Sequence, residues 1–242
     1  MIFDNSQIFI GLFHYFCTMK SFFLCFLIQV FFSSPDTWLQ NRQDSYADIA
    51  VADTSLGILI LVNKKNKLAQ GYRPHDLVPI KDKYNRGIMN LLRSEAAAAF
   101  AAMCHRAEED SIILWNRSAY RSDTIQAGLF ENAVKRRGLK SAARFSARPG
   151  HSEHQTGLTV DINSTHISFR NSPEAAWLRQ YAHLFGFIER YPRKKEDITG
   201  YEHEPWHYRY VGITAATYIH ENELTLEEYH ATIGKQTGKT SR

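Results

Sequence analysis

The stretch HSEHQTGLTVDINS, residues 151–164, constrains the fold more than any other part of the chain, because a polar loop bearing two histidines runs directly into an alternating segment. Leu158, Val160 and Ile162 alternate with Thr159, Asp161 and Asn163. That period of two predicts a strand with one face in the core and Asp161 on the opposite, polar face. Such a strand needs a sheet around it, and the loop places imidazoles at its end. A second stretch, YEHEPWHYRYVG, residues 201–212, repeats the mixture of histidine, carboxylate and alternating residues. The two stretches together imply a sheet that carries polar chemistry on one side.

The remaining pattern predicts a mixed fold. LGILILVNKK, from Leu56, is a short branched apolar run ending in a polar turn and reads as a strand. Between Asn85 and Arg106 the apolar positions Ile88, Leu91, Leu92, Ala96, Ala99, Phe100 and Met103 recur at three and four, which predicts a helix. SIILW, from Ser111, reads as a second strand, and NRSAYRS as the loop after it. A helix follows from Asp123 to Arg137, with Ser122 or Asp123 as its cap and Gly138 past its end. SPEAAWLRQYAHLFG opens on a Ser172 cap with Pro173 in the first turn and stops at Gly186. WHYRYV reads as a strand and LTLEEYHATIG as a closing helix. Strands and helices in irregular order with short connections predict an α+β fold, a small, largely antiparallel sheet with flanking helices.

The chain has 242 residues, of which 44% are hydrophobic and 22% charged, enough for one well-buried domain and unlike a disordered or fibrous chain. The formal net charge of +4 is mild. Basic residues cluster only at Lys135–Arg137 and Arg193–Lys195, so no nucleic-acid partner is expected. The apolar run Phe22–Phe32, after Met19 and Lys20 and before Pro35, resembles a secretory signal or a membrane anchor, and either would export the domain. A buried helix is the alternative. The expected organisation is a signal-like or anchor segment over 1–34, a linker over 35–50 and a single folded domain over 51–235. Cys104 is the one cysteine of that domain, so no internal disulfide is expected, and it reads as a small core residue.

Catalytic zinc takes three protein ligands from histidine, carboxylate or cysteine and leaves one position open. His154, Asp161 and His207 make such a set for one Zn²⁺: two from one loop-and-strand unit, one from a distant strand. Glu204 lies three residues before His207, where a regular strand would turn it to the other face, but Pro205 between them favours a bend. His151 and His203 adjoin the two stretches and would close the open position if they also bound metal, so they are read as outer or solvent-facing groups. His166, His183, His220 and His230 have no partners in the sequence. Trp206 and Tyr208 read as packing residues.

SEHQTGLTVDI and EPWH resemble the two signature motifs of the zinc D-alanyl-D-alanine carboxypeptidases of the VanY type, in the peptidase M15 group with the Hedgehog/DD-peptidase fold. LVNKKNKLAQGYRPHDLVPI, SAYRS with Gln126 shortly after, and RYPRKKEDITGYEHEPWHYRYVG match as well, so the resemblance runs from about Leu61 to Gly212. Thr159 stands where the family commonly has alanine. The resemblance implies His154, Asp161 and His207 as zinc ligands and Glu204 as general base, with Arg121 near the substrate together with Tyr120, Gln126 and Ser152. Arg121 then serves either a substrate carboxylate or the developing oxyanion. The implied activity is removal of the terminal D-alanine from peptidoglycan stem peptides outside the membrane. An L,D-carboxypeptidase on tetrapeptide stems and a non-catalytic zinc-containing binding module are the alternatives. Glu204 separates the enzymes from the module, which has no need of a base beside the metal.

Overall fold

The computed structural model describes Tyr46 and residues 48–239. The segment 1–34 and most of the linker lie outside the described residues. Eight short strands occur in these residues: β1 (Ala50–Val51), β2 (Asn66–Lys67), β3 (Leu77–Pro79), β4 (Leu91–Arg93), β5 (Asn116–Ser118), β6 (Thr159–Ile162), β7 (Phe187–Glu189) and β8 (His207–Tyr210). The longer helices are α1 (Ser94–Glu109), α2 (Asp123–Arg137), α3 (Pro173–Tyr181), α4 (Ile213–Glu221) and α5 (Leu226–Lys239). None is long and apolar enough to cross a membrane among the described residues.

The central sheet has the order β5-β6-β8-β7, antiparallel throughout. β3 and β4 form an antiparallel pair, and β1 and β2 a parallel one. Val160 and Ile162 of β6 and Tyr208 and Tyr210 of β8 turn one sheet face into the main core, with Phe100 and Met103 of α1, Leu178 of α3 and Phe187 of β7. Burying side chains of this size contributes about 1.5–3 kcal/mol each. The other face carries Thr159 and Asp161 beside Arg209 and His207, since Asp161 pairs with His207 and Thr159 with Arg209 across the ladder. This face too is covered: Thr159 is fully buried and Asp161 only 5% exposed, so Asp161 lies on a floor rather than on the solvated face that alternation alone suggests.

Helix ends follow their caps. Ser122 accepts from the Ile125 N–H to open α2, and Gly138 closes it; Ser172 accepts from the Ala175 N–H to open α3. Three sequence expectations are corrected. The run Leu56–Val62 is not a strand: Thr54–Leu59 is a 3₁₀ segment kinked at Gly57, and the Ile58 and Ile60 carbonyls accept from the Arg209 side chain instead of from a neighbouring strand. SIILW is not a strand either. Asn163, at φ 59°, takes the Trp115 N–H on its Oδ1 and donates Nδ2–H to the Ile113 carbonyl, so ladder pairing begins only at Asn116. The helix expected from Asn85 begins at Ser94, because Leu91–Arg93 pair with Leu77–Pro79. The helix α4 had not been anticipated. Tyr46, within the expected linker, is buried with its ring against His151 and the Arg148 guanidinium.

Candidate metal centre and catalytic site

A 3₁₀ turn, Glu153–Thr156, carries His154, and Gly157 ends it at φ 68°. A Cβ at Gly157 would lie 2.7 Å from the Leu77 side chain, so both the left-handed backbone and the lack of space call for glycine. The Arg93 N–H donates to the Gly157 carbonyl and the Arg121 N–H to the His154 carbonyl, which ties the loop to β4 and to the segment before α2. His207 enters β8 through a tight turn in which its N–H donates to the Glu204 carbonyl at 3.1 Å, with Pro205 at the second position. That turn is the bend expected from Pro205, and it places the Glu204 carboxylate 3.4 Å from His207 Nδ1.

His154, Asp161 and His207 each offer a ligand atom within 4.8 Å of the other two, and all three residues are buried. Asp161 Oδ1 lies 3.4 Å from His154 Nε2 and 3.2 Å from His207 Nδ1. His154 donates Nδ1–H to the Ala119 carbonyl at 2.7 Å, so its Nε2 lone pair faces the cluster. His154 Nε2 and Asp161 Oδ1 are buried polar atoms with no hydrogen-bond partner. Two imidazoles, one carboxylate and unsatisfied lone pairs aimed at a common point fit zinc.

Electrostatics separate the roles. Burial pushes the Glu204 carboxyl up to about 7, although His207 and Arg121 favour its charge. Burial pushes His154 down to about 4, which leaves it neutral. Burial opposes charge on His207 as well, but the Asp161 and Glu153 carboxylates outweigh it and raise the group to about 9 in the metal-free protein. Asp161 stays ionised despite burial, held well below the usual carboxylate range by the charged His207 beside it.

A cavity of about 360 Å³ opens over this cluster, lined by Arg121, Gln126, Ser152, Glu204 and Trp206 among others. Arg121 Nη2 stands 3.7 Å from Asp161 Oδ2, and its Nε has no partner. Gln126 donates Nε2–H to the Ala147 carbonyl and keeps a buried Oε1 without partner. Tyr120 is not among the lining residues; its N–H donates to the Leu91 carbonyl. Trp206, read from sequence as packing, lies on the cavity as well as against the core.

His151 and His203 are not in the cluster: His151 donates Nδ1–H to the Asn63 carbonyl, and His203 pairs with Glu189 at 2.8 Å. His166 bonds Ser168, His183 stacks on His220, and His230 bonds the Leu59 carbonyl, all outside the cluster. The residue that sequence reasoning passed over is Glu153. It is 1% exposed, and its Oε1 accepts from Arg190 Nε at 2.8 Å and Arg209 Nη1 at 2.7 Å. Its place beside a candidate ligand was the only signal, since nothing in the sequence announces a buried glutamate.

A family model described as VanY, D-alanyl-D-alanine carboxypeptidase, matches residues 89–213. The putative carboxypeptidase YodJ of Bacillus subtilis (strain 168) is 42% identical over 187 residues, 74% of this chain and 68% of its own length. The solved structure of the LdcB LD-carboxypeptidase, described for its peptidoglycan recognition, superposes with a TM-score of 0.71 at 40% identity, covering 76% of this chain and 90% of that one. A mutant of the vancomycin resistance D,D-pentapeptidase VanY, solved in complex with Zn(II), superposes with a TM-score of 0.61 at 34% identity, covering 71% of this chain and 97% of that one.

Proposed function

The chain belongs to the VanY family of D-alanyl-D-alanine carboxypeptidases, and from that premise we propose that it is a zinc-dependent D,D-carboxypeptidase that removes the terminal D-alanine from peptidoglycan stem peptides. The observation that carries this reading is the Glu204–His207 turn, which sets a partly buried carboxylate, its side chain 13% exposed, beside the His154, Asp161 and His207 cluster without making it part of that cluster. A binding module has no use for such a group. Peptidoglycan lies outside the membrane, so the site of action is extracytoplasmic, and residues 1–34 are the segment proposed to export or anchor the domain, which extends over 51–235.

His154, Asp161 and His207 would hold the metal, in keeping with the Zn(II) found in the related D,D-pentapeptidase. Bound there, zinc supplies a Lewis acid that acidifies water and polarises a carbonyl. Glu204, with its proton affinity raised to about 7, accepts the proton of the attacking water and delivers it to the leaving amine of D-alanine. Arg121 offers a planar cationic fork to the terminal carboxylate or to the oxyanion of the tetrahedral intermediate. Gln126 Oε1 and Ser152 are polar groups on the cavity wall that would orient the peptide.

Incubation of the zinc-loaded protein with defined tripeptide, tetrapeptide and pentapeptide stems, followed by mass analysis, tests the proposal. The expected product is the pentapeptide shortened by one alanine. Shortening of the tetrapeptide alone would instead establish the L,D reading, which the likeness to the LdcB LD-carboxypeptidase favours. No cleavage of any stem contradicts both. In the same assay, if Arg121 grips the terminal carboxylate, amidating that end should slow the parent strongly and Arg121→Lys proportionally less. If it serves the oxyanion, both proteins should respond alike to amidation, with the variant slower on every stem. Unchanged kinetics of Arg121→Lys and Arg121→Ala on all stems would remove the residue from the site.

A further inference from the structure

We propose that Glu153 is a positioning residue for the metal centre: its carboxylate, clamped by two buried arginines, keeps the hydrogen of His207 on Nε2 and so presents the Nδ1 lone pair to the metal. The inference rests on the zinc reading of His154, Asp161 and His207. Both Arg190 and Arg209 are fully buried, and each donates to Glu153 Oε1. Glu153 Oε2 is left buried and without a hydrogen-bond partner, 3.6 Å from His207 Nε2, which also has none. A neutral imidazole carries one hydrogen, on either nitrogen. His207 Nδ1 also has carboxylate oxygens near it, Asp161 Oδ1 at 3.2 Å and Glu204 Oε2 at 3.4 Å, but on the zinc reading its lone pair goes to the metal. The one ring hydrogen therefore falls to Nε2, and the ionised Glu153 carboxylate, which has only lone pairs, favours it there.

Glu153 has no freedom to choose another arrangement. Arg190 is gripped at its far end by Glu227 of α5, through Nη1 at 2.9 Å and Nη2 at 2.7 Å, and Glu227 Oε1 also accepts from Asn63 Nδ2. Arg209 donates Nη2–H to the Ile58 and Ile60 carbonyls and Nε–H to that of Tyr210. The two arginines and the two glutamates balance in charge, so the network does not require His207 to be charged. His154 has the corresponding device in the Ala119 carbonyl, which accepts its Nδ1–H. The two histidines are thus presented through opposite nitrogens, each oriented by an acceptor on the other one. An acceptor behind a metal-bound histidine fixes its tautomer and commonly changes metal affinity by about 10- to 100-fold.

Two measurements test this. In the zinc-loaded wild-type chain, ¹⁵N NMR of the histidine rings should find hydrogen on His207 Nε2 and none on Nδ1. In Glu153→Gln the two arginines should hold the amide oxygen, turn the amide N–H₂ toward His207 Nε2 and drive the ring hydrogen onto Nδ1. Zinc affinity measured by chelator competition should then fall by about 10- to 100-fold, and the visible spectrum of the cobalt-substituted protein should change. Zinc bound in the wild type with Nε2 lacking its hydrogen overturns the role of Glu153 and leaves the zinc reading standing. So does a folded Glu153→Gln protein with zinc affinity within about twofold of wild type, well short of the usual effect. A wild-type chain that takes up no zinc overturns both. If Glu153→Gln does not fold, the wild-type ring spectrum alone decides.

Discussion

Glu204→Gln is expected to bind zinc as the parent does and to lose turnover by a factor of about 10² to 10⁴, the usual contribution of a general base, or more because the carboxylate would act twice. The substitution keeps the size of the side chain and the turn that holds it, since the His207 N–H bonds the Glu204 backbone carbonyl and not the side chain. What it removes is a group able to take and return a proton near neutral pH. Metal content is the control, because Glu204 stands 3.4 Å from His207 Nδ1 without belonging to the ligand cluster. A folded, zinc-loaded Glu204→Gln protein with turnover within about tenfold of the parent, below the range of a lost general base, would assign the base to another residue. Loss of zinc along with activity would make Glu204 a ligand.

Arg209→Met is expected to destabilise the fold by about 3–5 kcal/mol, the cost of breaking a buried ionic network on one side. For a domain of this size that corresponds to a fall in Tm of about 6–20 °C. Arg209 is fully buried and neutralises Glu153 together with Arg190. It also satisfies the carbonyls of Ile58, Ile60 and Tyr210, all of which lose their donor when methionine replaces it. Methionine preserves much of the volume, so the loss reports on charge and hydrogen bonding rather than on a cavity. Calorimetry of the two proteins under one zinc concentration checks this, and a Tm within about 2 °C of the parent would show that Arg190 alone suffices for Glu153.

The candidate site was more legible in the sequence than the elements around it, and the reason is physical. His154 and Asp161 belong to one short loop-and-strand unit and His207 opens the strand paired with it, so metal-ligating residue types within two short stretches were enough to group them, and the Glu204–Pro205 bend is a local turn rule. α2 and β6 were legible for the same reason: Ser122 and Gly138 mark the helix ends, and Leu158–Ile162 alternate cleanly. Elsewhere long-range partners replaced the local pattern. The Ile58 and Ile60 carbonyls bond a side chain some 150 positions away, and the Ile113–Trp115 backbone bonds Asn163. Neither pairing leaves a trace in the periodicity of its own segment. Glu153 was missed because the two arginines that permit its burial come from β8 and from the position just after β7, distant in sequence.

Diffraction from zinc-loaded crystals on either side of the zinc absorption edge tests the central claim most directly, since it locates the metal independently of any assay. One anomalous peak is predicted, about 2.0–2.2 Å from His154 Nε2, Asp161 Oδ1 and His207 Nδ1, with Glu204 outside bonding distance and a coordination position facing the cavity. A peak held by His151, His203 or Glu204, or a fourth protein ligand closing the site, would contradict it.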